Sequence, residues 1–517
     1  MIEDGKPKEE CGVFGIYAYG EDVAKLTFFG LFTLQHRGQE SAGIGVLDGK
    51  KYSIYKKMGL VNQVFDEEKI SRLKGHIAVG HNRYSTTGTS TLKNAGPFVS
   101  TRKKETFIVA HNGNIVNAGR LQEVLERKGV KFKSTCDSEV IAALVADAKH
   151  KDPVKKIFST MYKMSGAYSL IIGTKNELIG VRDPSGFRPL CIGQLNGWYV
   201  LASESCAFPE IGAKLLRDVE PGEVVVINDS GLKSYKFSSN NKASFCIFEY
   251  VYLARPDSII NTKSVYLARE RLGKLLAKEH PAEADIVIPV PDSGVPGAIG
   301  YSQESGIPYK EGLIKNRYIA RTFIFPDQRM RDLGVKMKLS PLKEVVSGKK
   351  VVLVDDSIVR GTTSLKIIRL LKEAGAKQVH VRITAPPIKN PCHYGVDMPK
   401  KEDFIANEID VEEIRRKIEA DTLGYLSVDN MIKATELPEN SFCTACFTGK
   451  YPLKGEFLNN LSKEALEEKI PAPVFIKSER GPNLFISPEI ILLRVLCGVL
   501  PLVSTSFLSS INLDISL

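Results

Sequence analysis

Three runs of nearly uninterrupted apolar residues constrain the second half of the chain: ADIVIPVP (284–291), KKVVLVDD (349–356) and QVHVRITAPP (378–387). A strand with one wet face alternates apolar and polar residues, whereas a strand buried on both faces has no need to. The first run opens into a Pro/Gly/Ser loop. The second is followed by SIVRGTT and by the helical pattern SLKIIRLLKEAGAK (364–377). Buried runs alternating with helices predict parallel strands in an α/β domain.

Residues 11 to about 240 carry a different pattern. CGVFGIYAY, SAGIGVL, HIAVGHNRY, TFIVAHNG, AYSLIIGT, ELIGVRD, GWYVLASE and EVVVIN read as short strands. Val23, Leu26, Thr27, Gly30, Leu31 and Leu34 recur at helical spacing, and a second helix is expected over Arg120–Lys128. Many strands with few helices predict stacked antiparallel sheets flanked by helices. A chain of 517 residues exceeds one core, and the polar stretch SSNNKAS (238–244) is the natural boundary. There is no internal repeat.

The formal net charge is +11, which suits anionic partners such as phosphates. No long Lys/Arg run supports a nucleic-acid partner. The cysteine count, 9, is odd, and Met1–Glu10 lacks the apolar stretch of a secretory signal. Reduced thiols and a cytoplasmic location are therefore expected. Met1–Glu10 reads as a segment to be discarded, which would leave Cys11 first with a free α-amine beside its thiol. Ile490–Val503 is apolar but too short for a bilayer and contains Arg494 and Pro501; it reads as a packing element, with no membrane expected.

VVLVDDSIVRGTTS (351–364) is a buried strand that ends in Asp355 and Asp356, then a small Gly-containing loop that opens a helix. Backbone N–H groups at such a loop point at an anion, and the helix dipole adds to the attraction. Adjacent carboxylates suit paired ribose hydroxyls or a Mg²⁺-bound diphosphate. The stretch resembles the phosphoribosyl-pyrophosphate (PRPP) signature of type I phosphoribosyltransferases. That resemblance implies that Asp355 and Asp356 hold the ribose hydroxyls. It gives the 5′-phosphate to Ser357, Arg360, Gly361, Thr362 and Thr363. PVPDSGVPG (289–297) resembles the family's pyrophosphate loop, with Ser293 near a Mg²⁺ ion that Asp355 and Asp356 share. KNRYIARTFIFPDQRMR (315–331), with Lys315, Arg317, Arg321, Arg329 and Arg331, is similar to its basic flap, Lys315 reaching PRPP.

A thiolate is a strong nucleophile, and a neighbouring α-amine can serve as its base. CGVFG at Cys11 is followed by QHRGQESAGI (35–44), GHNRYSTTG (80–88), AHNGNIVN (110–117) and STCDSE (134–139). In this order the motifs resemble the N-terminal-nucleophile (Ntn) glutamine amidotransferases. By that resemblance Cys11 attacks the glutamine amide, Arg83 pairs with the α-carboxylate, and Asp137 receives the α-ammonium. Asn112 and the Gly113 N–H form the oxyanion hole. The implied fold is an α/β two-domain chain: an Ntn-hydrolase αββα sandwich glutaminase, then a type I phosphoribosyltransferase domain with a parallel sheet.

The combination, with FCIFEYVYLARPDS (245–258), is similar to the amidophosphoribosyltransferases. Membership implies a propeptide over 1–10, a glutaminase over 11–240 and a phosphoribosyltransferase over 241–455. Residues 456–517 read as a C-terminal extension of unknown role. The implied substrates are glutamine and PRPP, with purine nucleotides as inhibitors and a homo-oligomer, tetramer or dimer, as the assembly. Ammonia made at Cys11 would pass to the PRPP site through an enclosed apolar passage. Cys443 and Cys446 form a C-x-x-C pair that alone suits redox chemistry, half a zinc site or neither. With Cys246 and Cys392 they make four thiols, which hold zinc or a [4Fe–4S] cluster equally well. One branch of the family carries a [4Fe–4S] centre at these four positions, often with a cleaved propeptide. Cys136, Cys191, Cys206 and Cys497 are expected to be packing thiols. A PRPP-sensing repressor would lack the glutaminase half, and a sugar-phosphate aminating enzyme would lack VVLVDDSIVRGTT.

Overall fold

The computed structural model describes residues 11–84, 89–237, 242–316, 339–398 and 400–453. The leader Met1–Glu10, the basic residues Arg317, Arg321, Arg329 and Arg331, and the segment 456–517 with its apolar Ile490–Val503 run lie outside them. All described residues belong to one compact unit, Met1–Ala465.

Two antiparallel sheets form the first half. One carries, from edge to edge, Lys214–Asp218, Cys191–Leu195, Trp198–Ala202, Gly12–Tyr17, Ile77–Arg83, Ser41–Leu47 and Tyr52–Met58. The other runs Gly231–Lys236, Glu223–Asn228, Leu178–Arg182, Gly166–Gly173, Glu105–Ile115 and Phe98–Arg102. Strand Gly12–Tyr17 explains why its sequence is apolar throughout. Val13 and Tyr17 enter the core between the sheets with Ile108, Ala110 and Ile171. Phe14 and Ile16 point the other way, against Val23 and Leu31 of helix Val23–Thr33. Each side chain of this kind contributes about 1.5–3 kcal/mol when fully buried. Helix Asp137–Asp147 packs on strands Phe98–Arg102 and Glu105–Ile115, completing an αββα sandwich.

All eight runs read as strands from the sequence contain strands. Five further strands were not legible: Tyr52–Met58, Phe98–Arg102, Cys191–Leu195, Lys214–Asp218 and Gly231–Lys236. The expected helix over Arg120–Lys128 spans Ala118–Glu126.

The second half is built on a parallel sheet ordered Ile286–Pro289, Lys350–Asp355, Gln378–Ile383 and Thr422–Tyr425. Val352 and Val354 face a core with Leu272 and Leu276 of helix Val265–Glu279. Val351 and Leu353 face the opposite core with Ile367, Ile368 and Leu371 of helix Thr362–Glu373. Both faces are covered, which accounts for the continuous apolar runs. Where the halves meet, strand Phe245–Cys246 pairs in parallel with Phe442–Cys443, and the buried turn Glu249–Leu253 follows it.

Candidate active site

The register of the first sheet assembles the thiol site. Gly12 pairs with Asn82, so Cys11 sits beside Arg83 and Tyr84. Its Sγ donates to the Tyr84 carbonyl at 3.4 Å. Burial pushes this thiol up to about 12; Arg83 pulls the other way, while Cys136 and Asp137 add to the rise. A thiol so protected needs a local base to become a nucleophile at neutral pH.

Arg83 is buried, with Nη1 3.3 Å from Glu40 Oε2 and 3.4 Å from the Thr89 carbonyl. Asp137 opens its helix and accepts from the Ile115 N–H at 3.0 Å. Burial raises its carboxyl, but His111 and the Ile115 N–H outweigh this and hold it below the usual carboxylate range. A buried cation and a buried anion thus flank the thiol, a pairing suited to a zwitterionic amino-acid head. Asn112 is fully buried, and neither polar atom of its side chain has a hydrogen-bond partner among the described residues. Gly113 follows at φ +146°, and a Cβ there would stand 2.1 Å from the Ala167 carbonyl oxygen. Only glycine fits that backbone. Cys136, expected to be a packing thiol, lies within the site: its Sγ is 3.4 Å from Ser138 Oγ, and its charge would act on both Arg83 and Cys11.

The second cluster lies at the carboxyl ends of adjacent parallel strands, where open α/β sheets bind ligands. Strand Lys350–Asp355 delivers Asp355 and Asp356, both buried. Ser357 Oγ donates to Asp356 Oδ2 at 2.6 Å, and the Asp356 N–H donates to Asp355 Oδ1 at 2.9 Å. Gly361, at φ +76°, caps helix Thr362–Glu373, whose first turn contains Thr362 and Thr363. Arg360, Gly361 and Thr362 line a cavity of about 510 Å³ together with Asp403, Phe404 and Ile405. Arg360 Nη2 meets Asp403 Oδ2 at 3.0 Å. Ser293 sits in the loop after Ile286–Pro289, next to the Asp355 strand, tied to it by Val290 N–H to the Val354 carbonyl at 2.8 Å. Lys315 ends strand Leu313–Lys315, its Nζ 2.7 Å from Asp292 Oδ2.

A buried ionic network that the sequence did not reveal links the two halves. Arg37 Nε donates to the Cys11 carbonyl at 3.3 Å, and its Nη2 to Glu249 Oε1 at 2.8 Å. Arg37 also pairs with Glu204, and Arg188 with Glu249. Beyond Glu249, Arg269 donates to the Tyr250 carbonyl at 2.8 Å and to the Ala254 carbonyl at 2.8 Å. Arg269 in turn feels the charge of Asp356. Arg37 was visible within QHRGQ and Glu249 within IFEYV, but nothing local marks either as buried.

Cys246, Cys392, Cys443 and Cys446 lie on neighbouring segments of the second half. Cys246 pairs in register with Cys443. The Cys446 carbonyl accepts from the Lys389 and Asn390 N–H groups at 2.9 and 3.0 Å, just before Cys392. Burial raises all four thiols, and Cys443 and Cys446 are raised further by the other members. No His, Cys, Asp or Glu group of three or more among the described residues stands in ligating geometry. The donor chemistry, four partly buried thiols in one neighbourhood, suits a soft metal or an iron–sulfur centre.

Residues 81–210 match the glutamine amidotransferase domain family, and residues 260–412 match the phosphoribosyl transferase domain family. Among curated proteins, the amidophosphoribosyltransferase of Synechocystis is 53% identical over 87% of this chain and 92% of its own length. That of Methanocaldococcus jannaschii is 50% identical over 88% of this chain and 100% of its own. Among solved structures, one described as the allosteric regulatory enzyme of purine biosynthesis superposes with a TM-score of 0.82 at 48% identity, over 86% of this chain and 96% of that one. The glutamine PRPP amidotransferase of B. subtilis complexed with ADP and GMP gives 0.81 at 48%, over 86% and 97%. The chain belongs to the amidophosphoribosyltransferase family.

Proposed function

We propose that this chain catalyses the first step of purine synthesis from small precursors: PRPP, glutamine and water give 5-phosphoribosylamine, glutamate and pyrophosphate. The reading rests on one observation above the rest, a buried Cys11–Arg83–Asp137 pocket and an Asp355–Asp356 loop carried by one chain and joined by a buried ionic network. In the first pocket Arg83 and Asp137 grip the glutamine α-carboxylate and α-ammonium. Cys11 Sγ attacks the side-chain amide, and its own α-amine, once the leader is removed, takes the thiol proton. Asn112 and the Gly113 N–H take the oxyanion; one such donor is worth about 10²–10³ in rate. Ammonia leaves, and water releases glutamate from the thioester. In the second pocket Asp355 and Asp356 hold the ribose hydroxyls. The loop Ser357–Thr363 holds the 5′-phosphate, and Lys315 the pyrophosphate. Ammonia then displaces pyrophosphate at ribose C1.

Ser293, Asp355 and Asp356 would hold Mg²⁺, which neutralises diphosphate charge when bound. Cys246, Cys392, Cys443 and Cys446 would hold a [4Fe–4S] cluster, whose contribution is structural. On this reading the protein would belong to the iron–sulfur, propeptide-containing branch. Purine nucleotides as inhibitors, a homo-oligomer and a cytoplasmic location complete the proposal. No described helix is long and apolar enough to cross a membrane.

The test is stoichiometry. Purified protein given PRPP, Mg²⁺ and glutamine should release pyrophosphate and glutamate in equal amounts, and ammonia should replace glutamine at high pH. No pyrophosphate with either nitrogen source overturns the reading. Chemical analysis of anaerobically purified protein should find iron and acid-labile sulfide; an active protein free of both removes the cluster.

A further inference from the structure

We propose that the loop Cys392–Gly395 of the phosphoribosyltransferase half positions the oxyanion segment Asn112–Asn114 of the glutaminase half, with Gly395 and Asn114 as its two positioning residues. The inference rests on the reading of Asn112 and Gly113 as the oxyanion hole. It goes further by assigning the geometry of that hole to a loop from the other half of the chain.

Three contacts carry it. Gly395 lies at φ +110°, and a Cβ built on it would stand 3.0 Å from Gly113 Cα and 3.1 Å from the Gly113 carbonyl carbon. Backbone therefore rests on backbone, with no side chain between. Asn114 Nδ2 donates to the His393 carbonyl at 3.0 Å, across 279 residues of sequence. Tyr394 stacks on Phe187 at 4.2 Å between ring centroids and shares an apolar cluster with Val116 and Ala167.

Ala167 is also the residue that presses on Gly113 from its other side, where its carbonyl oxygen would meet an added Cβ at 2.1 Å. Gly113 is thus clamped between its neighbouring strand and a loop of the second half. Its φ of +146° is a conformation open to glycine, so its place is set by what packs on either side. Asn112–Asn114 lie in strand Glu105–Ile115 beyond its last pairing with strand Phe98–Arg102, so the sheet holds them along one edge only, through strand Gly166–Gly173. An oxyanion donor displaced by about 1 Å loses roughly 10²-fold in rate. The glutaminase pocket binds its substrate with groups of its own half, Arg83 and Asp137, but borrows the precision of its hole from the other.

The experiment uses full-length mature protein and the variants Gly395→Ala, Asn114→Ala and, for reference, Asn112→Ala. Glutaminase kcat and KM, ammonia-dependent phosphoribosylamine synthesis, and the affinity for the γ-aldehyde analogue of glutamine are measured. The aldehyde forms a thiohemiacetal with Cys11 whose oxygen occupies the hole. Gly395→Ala and Asn114→Ala should lower glutaminase kcat by about 10- to 10²-fold while KM for glutamine stays near its starting value. Aldehyde affinity should fall by the same factor as kcat, and ammonia-dependent synthesis should persist. Unchanged kcat in both variants, or an equal loss of ammonia-dependent synthesis, overturns the positioning role. If Asn112→Ala is crippled but the other two are not, only the positioning role falls. If Asn112→Ala keeps full kcat, the oxyanion reading itself fails and this inference with it.

Discussion

The two pockets are built on opposite principles. In the glutaminase half every key side chain is buried: Arg83 and Asn112 sit on paired strands, Asp137 in the first turn of a helix, and Cys11 immediately before strand Gly12–Tyr17. In the phosphoribosyltransferase half only the two acids and Ser357 are buried. The cationic groups Lys315 and Arg360 are half-exposed and are held meanwhile by surface acids, Asp292 and Asp403. The substrates explain the difference. Amide attack by a thiolate needs a dry, rigid pocket whose dipoles are set in advance. A pyrophosphorylated sugar brings several negative charges, and these can displace weak surface pairs and recruit the cations themselves.

A crossed pair of variants separates the two pockets. Cys11→Ser should lower glutamine-dependent synthesis by about 10⁴-fold or more, on the scale seen when hydrolases lose a nucleophile. It should leave ammonia-dependent synthesis intact, because the buried pocket acts alone. Asp356→Asn should depress both activities and raise KM for PRPP, because both end at the same ribose carbon. A rate assay with each nitrogen source checks both. Loss of ammonia-dependent synthesis in Cys11→Ser would mean that the pockets are not separable.

Glu249 is buried, shared between Arg37 and Arg188, and held below the usual carboxylate range by those cations against the upward push of burial. Removing one partner from such a network leaves buried charge uncompensated and costs about 3–5 kcal/mol. Glu249→Gln should therefore lower the thermal midpoint markedly in a melt followed by circular dichroism. Arg37 also holds the Cys11 carbonyl, so glutamine-dependent synthesis should fall more than ammonia-dependent synthesis. An unchanged midpoint would show that the network is not what locks the halves together.

What the sequence revealed follows the same division between local and distant. The inner strands, Cys191–Leu195 apart, were legible because burial on both faces leaves an apolar run. All four sheet edges of the sandwich, Tyr52–Met58, Phe98–Arg102, Lys214–Asp218 and Gly231–Lys236, were not. Their sequences, YSIYKKM among them, are half wet, and edge strands carry the charge that makes them look like loops. Site residues within compact motifs, such as HNG and VDDS, were found from chain-local signals. Arg37, Glu204 and Glu249 were not singled out, since their pairings span 167 and 212 residues and a buried charge looks like a surface charge until its partner is known. Cys136 was read as packing for the same reason: only the tertiary fold places it beside Arg83.

The smallest effect on stability should come from Lys315, and that is what makes it informative. Its pair with Asp292 is exposed, with 45% and 58% of the two side chains accessible. Such pairs contribute about 0–1 kcal/mol. Lys315→Ala should thus leave the thermal midpoint where it was. If the cation waits on Asp292 until PRPP arrives, its loss appears instead in binding: KM for PRPP should rise and should depend less steeply on ionic strength, since one charge no longer meets the diphosphate. Steady-state kinetics at two salt concentrations measures both quantities. A lowered midpoint with unchanged KM would place Lys315 in the scaffold and make the second pocket as preformed as the first.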